Sequence, residues 1–313
     1  MVGRCIQRLV SLTARVEDLV NESDQHACLD DFKGEHTKEQ DRMFKAYNKL
    51  LGHQPFLRRA FESEGDVRQL VNTYKELNKG ADATCGDDAA SLKPVVVQWL
   101  MSAEPGPEPL LEPDEKDGRG FDHDITGHLL CPVDYDWNNP HHRAAICDYH
   151  PEFLVTAYSW PTFLYENGRY DPNRPSNGLF KGALLVRAFK HIFTSPTSAL
   201  KMNLESNGAR LPLKKRQKYD EQRTRCHVAS LVGMKSVCPR AITYIAVQLR
   251  FALSSCGSWR IVDGEFNYDD FYNNIIDFFE NTGTAGEKKV IQDLLLWWNR
   301  SVALTYFDPN YQA

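Results

Sequence analysis

The run PRAITYIAVQLRFALSS, residues 239–255, constrains this chain more than any other stretch. Wound at helical pitch, Ile242, Ile245, Ala246, Leu249, Ala252 and Leu253 form one apolar stripe, and Tyr244, Val247 and Phe251 form a second. A helix that is apolar nearly all round has to be surrounded on every side. The fold must therefore supply several other helices to wrap this one, and 313 residues are enough to do so.

Helical patterns are abundant elsewhere. TKEQDRMFKAYNKLLG opens with Thr37 as N-cap and Gln40 at capping-box spacing, carries Met43, Phe44, Tyr47, Leu50 and Leu51 on one face, and stops at Gly52. DVRQLVNTYKELNKG predicts a helix ending at Gly80, and PVVVQWLM a short piece with Pro94 in its first turn. In GLFKGALLVRAFKHIFTS, Leu179, Ala183, Val186, Phe189, Lys190 and Phe193 step by three and four, with Asn177 or Ser176 as cap and Pro196 as the stop. YDDFYNNIIDFFE, capped by Asn267 with Asp269 and Asp270 in its first turn, and KKVIQDLLLWWNRSVAL complete the set.

Two regions break this pattern. Residues 103–120 hold four prolines, three glycines and a run of acids, which favours an exposed linker. The stretch from GFDHDITGHLLCPVDYDWNNP to SWPTFLYENGRYDPNRPSNG is rich in turn residues. Asp-Gly in WRIVDGEFNY suits a tight hairpin. The expectation is a mostly α fold: an irregular helical domain with a long turn-rich segment and at most a small β-hairpin. Its parts read as an N-terminal helical region (1–102), an acidic Pro/Gly-rich linker (103–119) and a main helical domain (120–313).

The net charge of −5 gives no global reason to bind nucleic acid or an anionic membrane, so such affinity has to come from a local patch. No apolar run is long enough to span a bilayer. The start of the chain has no continuous apolar leader, so its eight cysteines are expected as reduced thiols in an intracellular protein. Arg4, Arg8 and Arg15, with no acid before Glu17, permit a mitochondrial presequence; an ordinary amphipathic helix is the plainer reading.

Residues 128–150, HLLCPVDYDWNNPHHRAAICDYH, carry the most suggestive chemistry. His128-x-x-Cys131 and Cys147-x-x-His150 have the spacing of paired zinc ligands, with zinc as the cofactor such a clamp would hold. The competing reading is a polar loop packed on the helical core. His150-x-Glu152 is half of a zinc-deaminase signature, or the start of an iron triad closed by His191 or His227. Phosphate-binding, nucleophile-elbow and zincin motifs are absent from the sequence. Residues 210–225 set seven Lys/Arg against two acids. There Lys214, Lys215, Arg216, Lys218, Arg223 and Arg225 suit an import receptor or nucleic-acid phosphates. Arg250, on the central helix, needs a partner. A structural ion pair with Asp277 or Glu280 is the first expectation and phosphate binding the second.

GRGFDHDITGHLLCPVDYDW, SWPTFLYENGRYDP, LLVRAFKHIFTSPTSAL, AVQLRFALSSCGSW, FYNNIIDFFE and LLLWWNR together resemble a domain of unknown function expanded in mushroom-forming fungi (basidiomycetes), over residues of about 118–300. The resemblance implies a fungal intracellular protein linked to transposon-rich genomic regions, and it brings no activity, cofactor or catalytic residue. In that pattern Cys131 is typical, whereas His128 and Cys147 are not, which weakens a family-wide zinc site.

The resulting expectation is an interaction or regulatory module with a protein or nucleic-acid partner, no membrane and no identifiable small-molecule substrate. It would reside in the nucleus rather than the cytoplasm and associate with nucleic acid or chromatin. The alternatives are a zinc- or iron-dependent enzyme built on residues 123–152, and an inactive scaffold or transposon-derived remnant.

Overall fold

A computed structural model of the chain describes residues 3–31, 35–62, 67–103, 106–195, 199 and 227–302. The fold is mostly α. In chain order the helices are α1 (Gly3–Leu9), α2 (Val16–Asp31), α3 (Lys38–His53), α4 (Phe56–Glu62), α5 (Val67–Met101), α6 (Asp124–Leu130), α7 (Pro140–Cys147), α8 (Ala183–Phe189), α9 (Val228–Leu231), α10 (Pro239–Leu253), α11 (Tyr268–Glu280) and α12 (Ala285–Val302). One antiparallel hairpin, β1 (Val262–Asp263) with β2 (Phe266–Asn267), turns at Gly264, whose φ of +59° suits glycine. Among the described residues no helix is long and apolar enough to cross a membrane.

The centre is α10. Every residue from Arg240 to Leu253 is buried, and α1, α5, α6, α8 and α11 pack around it. The two apolar stripes read in the sequence are thus both covered, as an all-round apolar helix requires. Caps fall where side-chain chemistry places them. Thr37 and Gln40 form a reciprocal capping box at α3, and Asn267 accepts from the backbone N–H groups of Asp269 and Asp270 at α11.

Three elements differ from the sequence reading. Gly80 does not end a helix: α5 runs 35 residues through it. At that point α5 crosses α1, and a Cβ on Gly80 would stand 3.0 Å from the Cα of Gly3. The glycine serves close approach rather than termination. Pro94 lies inside the same helix rather than in a first turn, where it supplies no N–H to the hydrogen-bond ladder. Helix α8 begins at Ala183 rather than near residue 178, because Gly178 and Phe180 take positive φ (+73° and +58°). A π-turn, Lys190–Thr194, follows it, and Pro196 lies outside the described residues.

The third difference is the expected linker at 103–119. Leu111, Lys116 and Arg119 in it are buried. Arg119 donates to the carbonyls of Lys93 (3.0 Å) on α5 and Ala252 (2.8 Å) on α10, and to those of Glu112 and Pro113 in its own segment. This stretch is a strap across the core. Buried residues before it, such as Leu9 and Leu92, and after it, such as Ile245 and Phe271, belong to one hydrophobic cluster. The acids Glu108, Glu112, Asp114, Glu115 and Asp117 are exposed on this strap, while its two cations point inward.

Candidate functional site

The four residues of the expected zinc clamp are used separately. Helix α6 ends at Leu130, and the Cys131 N–H caps it on the Gly127 carbonyl. The Cys131 side chain is buried, its Sγ donating to the carbonyls of Pro132 (3.5 Å) and Tyr135 (3.8 Å). Burial pushes that thiol up to about 12. His128, one turn earlier, is exposed. The Cys147 Sγ donates to the Phe121 carbonyl at 3.6 Å.

The Cys147-x-x-His150 spacing is that of a helix stop. Tyr149 takes φ +54°; its N–H meets the Ile146 carbonyl and the His150 N–H meets the Ala145 carbonyl, a Schellman pattern. His150 Nδ1 then accepts from the Glu152 N–H, capping the next turn. Among the described residues no group of three or more His, Cys, Asp or Glu side chains is placed to hold a metal ion. The mirror symmetry comes from one helix ending and a second ending, not from ligands facing each other.

His123 and His191 are also engaged. His123 Nδ1 accepts from the Ile125 N–H to cap α6, while Nε2 meets the Pro109 carbonyl at 2.8 Å. His191 Nε2 lies 2.8 Å from Ser91 Oγ on α5, and burial pulls its pKa below the ordinary value.

Arg250 occupies a different setting from the ion pair expected for it. Asp277 is taken by Arg42 (2.5 Å) and Glu280 by Arg240 (3.0 Å). The Arg250 guanidinium donates instead to the Tyr268 hydroxyl at 3.0 Å and lies over the Phe266 ring, 3.1 Å from its centroid. Sequence reasoning missed both partners, because the hairpin folds them back beneath the helix that precedes it. Arg250 is 5% exposed, and burial pulls its pKa down.

This guanidinium lines a cleft of about 180 Å³. Ser254 joins it from the end of α10, Gly120 and Phe121 form one wall, Ile146, Cys147 and Tyr149 a second, and the hairpin turn a third. The histidine- and cysteine-rich segment thus contributes to a site after all, through the end of α7.

The three arginines near the start of the chain each meet an acid on α5: Arg4 with Asp87 (2.8 Å), Arg8 with Asp88 (2.6 Å) and Arg15 with Asp82 (2.9 Å). Their spacing serves helix packing here. Lys214, Lys215, Arg216, Lys218, Arg223 and Arg225 lie outside the described residues.

No curated protein and no solved structure matches this chain. One family model does, described as a family of unknown function (DUF6698), over residues 79–303. The match takes in α10, the strap and the whole cleft, and begins after the helix that carries Arg8. By that match, spanning well over half its length, the chain belongs to the DUF6698 family of unknown function.

Proposed function

We propose that this chain is an interaction module that engages nucleic acid or chromatin through the basic segment 210–225. The observation that carries the reading is the concentration of seven Lys/Arg against two acids there, in a chain whose net charge is −5. Such a run neutralises successive phosphates and releases their counterions, which a mildly acidic body would not do. Fungal origin, nuclear residence and a link to mobile elements belong to the same proposal.

The described residues favour recognition over chemistry. The thiolate is the nucleophile and the metal ligand, whereas Cys131 and Cys147 are held as thiols against backbone carbonyls. The histidines at 123 and 150 cap helical turns. The test is replacement of Lys214, Lys215, Arg216 and Lys218 by Ala in the full chain. Binding to a DNA duplex should weaken, the slope of log affinity against log salt should flatten, and nuclear import should fall. Unchanged binding, salt slope and import would overturn the reading.

A further inference from the structure

Six described cations are buried: Arg8, Lys116, Arg119, Arg187, Arg240 and Arg250. Five of them have charged or carbonyl partners. Arg8 meets Asp88 and Arg240 meets Glu280. Lys116, Arg119 and Arg187 donate to the carbonyls of Phe251, Ala252 and Ala199. Arg250 hydrogen-bonds the neutral Tyr268 hydroxyl and lies over the faces of two aromatic rings, with no acid in direct contact among the described residues. Asp263, which lines the same cleft and acts on Arg250 through space, is paired with Arg260 at 3.2 Å. A buried guanidinium without an anion is costly, and its planar fork is built to take one in bidentate fashion. This one faces a cleft.

We infer that the cleft over Arg250 is a binding site for a small monocarboxylate with an apolar body. The carboxylate sits on the guanidinium that Phe266 and Tyr268 hold in place. The apolar body lies among Phe121, Leu130, Ile146 and Val155, which line the same cleft. A volume of about 180 Å³ matches that size, since a cavity of roughly 150 Å³ accepts benzene. The rim sets the charge of the ligand. Asp122 and Glu265 are exposed on it and Asp263, paired with Arg260, lines it too; together they repel a polyanion while leaving one negative charge on Arg250 tolerable. The cleft is therefore a poor seat for a nucleic-acid backbone, and this site is independent of the basic segment.

The experiment titrates the full chain with benzoate, following the Arg250 side-chain N–H resonance, assigned by its loss in Arg250→Lys. Benzamide, the neutral isostere, and phenyl phosphate, the dianion, serve as comparison probes. Benzoate should shift the resonance saturably with a dissociation constant in roughly the millimolar range for so few atoms. Benzamide should not. Arg250→Lys, which keeps charge but loses the fork, is followed through the backbone amide resonances of Phe121 and Ile146 in the cleft wall and should bind benzoate at least about tenfold more weakly. The pair Asp122→Asn and Glu265→Gln alters only exposed rim positions, so it tests the site even if Arg250→Lys fails to fold. It should tighten benzoate binding a few-fold. No saturable shift with benzoate, an equal shift with benzamide, or unchanged affinity in the rim variant would overturn the assignment. Tighter binding of phenyl phosphate than of benzoate would overturn its carboxylate character.

Discussion

Lys116 donates from Nζ to the carbonyl of Phe251 at 2.5 Å and lies 3.4 Å above the centre of the same residue's ring. Phe251 belongs to the last turn of α10, where the helix dipole presents partial negative charge. Its carbonyl also accepts from the Ser254 N–H and hydroxyl, and the neighbouring Ala252 carbonyl is taken by Arg119. Two cations from a segment dominated by acids thus close the end of the most buried helix. The acids stay on the solvent side, where Glu112 and Glu115 are exposed.

This contact gives a pH dependence of definite sign. Burial lowers the Lys116 pKa from 10.5 to about 7. Between those values the unfolded chain holds a proton that the folded chain has shed, so stability rises with pH across that window. Buried thiols work in the opposite direction above their ordinary 9.0, since Cys85 and Cys131 are pushed up to about 12. The clean interval therefore runs from about pH 7 to about pH 8.5. Urea denaturation should show a gain there of about 1–2 kcal/mol over the slope of Lys116→Met, given 1.36 kcal/mol per pH unit per proton. Parallel slopes for the two proteins would contradict it.

Asp88 is the junction between α1, α5 and α10. Its carboxylate takes both Nε and Nη2 of Arg8, at 2.8 and 2.6 Å, and the Tyr244 hydroxyl at 2.7 Å. Arg8, Asp88 and Tyr244 are all buried. Asp88→Ala strands a guanidinium in the core and should cost about 3–5 kcal/mol in urea denaturation. Replacing the set together with Arg8→Met, Asp88→Leu and Tyr244→Phe should recover most of that loss, because no buried polar group is left unpaired. A loss below about 1 kcal/mol in Asp88→Ala would mean that water reaches the pair.

The parts of this fold legible in the sequence are those where one local rule decides. Residues 239–253 could only be a surrounded helix, and Thr37, Asn267 and the Asp-Gly turn each act on backbone groups two or three residues away. The parts that were not legible depend on distant partners. Composition around Lys116 and Arg119 describes a solvated stretch, and nothing local says that 2 of its side chains close a helix more than 130 residues later. His128, Cys131, Cys147 and His150 have ligand-like spacing, but spacing does not encode the direction in which two separate helices aim their ends. For Arg250 the sequence offered acids as partners, and the aromatic pair at 266 and 268 was hidden in a hairpin read only as a turn.

Gly80 separates two rules that predict opposite signs. In an exposed helix interior, Gly→Ala stabilises by roughly 1 kcal/mol. Here the added Cβ would stand 3.0 Å from the Cα of Gly3 and 3.2 Å from its carbonyl carbon, both backbone atoms. Gly80→Ala should therefore push α1 off α5 and destabilise by about 1–3 kcal/mol, as overpacking does. Gly86, on the same helix, has open space around it, so Gly86→Ala should stabilise by the helix-propensity amount. Thermal denaturation of the two variants checks the contrast; equal shifts for both would remove the close crossing as the reason for glycine at 80.

Tyr149 ends α7 in the left-handed region, at φ +54°, where a bulky side chain is strained by roughly 1–2 kcal/mol. The residue is 68% exposed, so little packing is lost on truncation. Tyr149→Gly removes the strain and keeps both backbone bonds of the Schellman turn, while the freer unfolded chain offsets part of the gain. Tyr149→Ala keeps the strain and gains nothing. Glycine should therefore exceed alanine at this position by about 1 kcal/mol, the reverse of their usual order. Urea midpoints of the two variants give the comparison, and alanine at or above glycine would show that the turn relaxes out of the left-handed region. Because Tyr149 also lines the cleft over Arg250, both truncations should weaken benzoate binding alike, whatever their order in stability. The strained residue then reads as one kept for the ring it presents, at the end of the segment whose histidines and cysteines first drew attention to it.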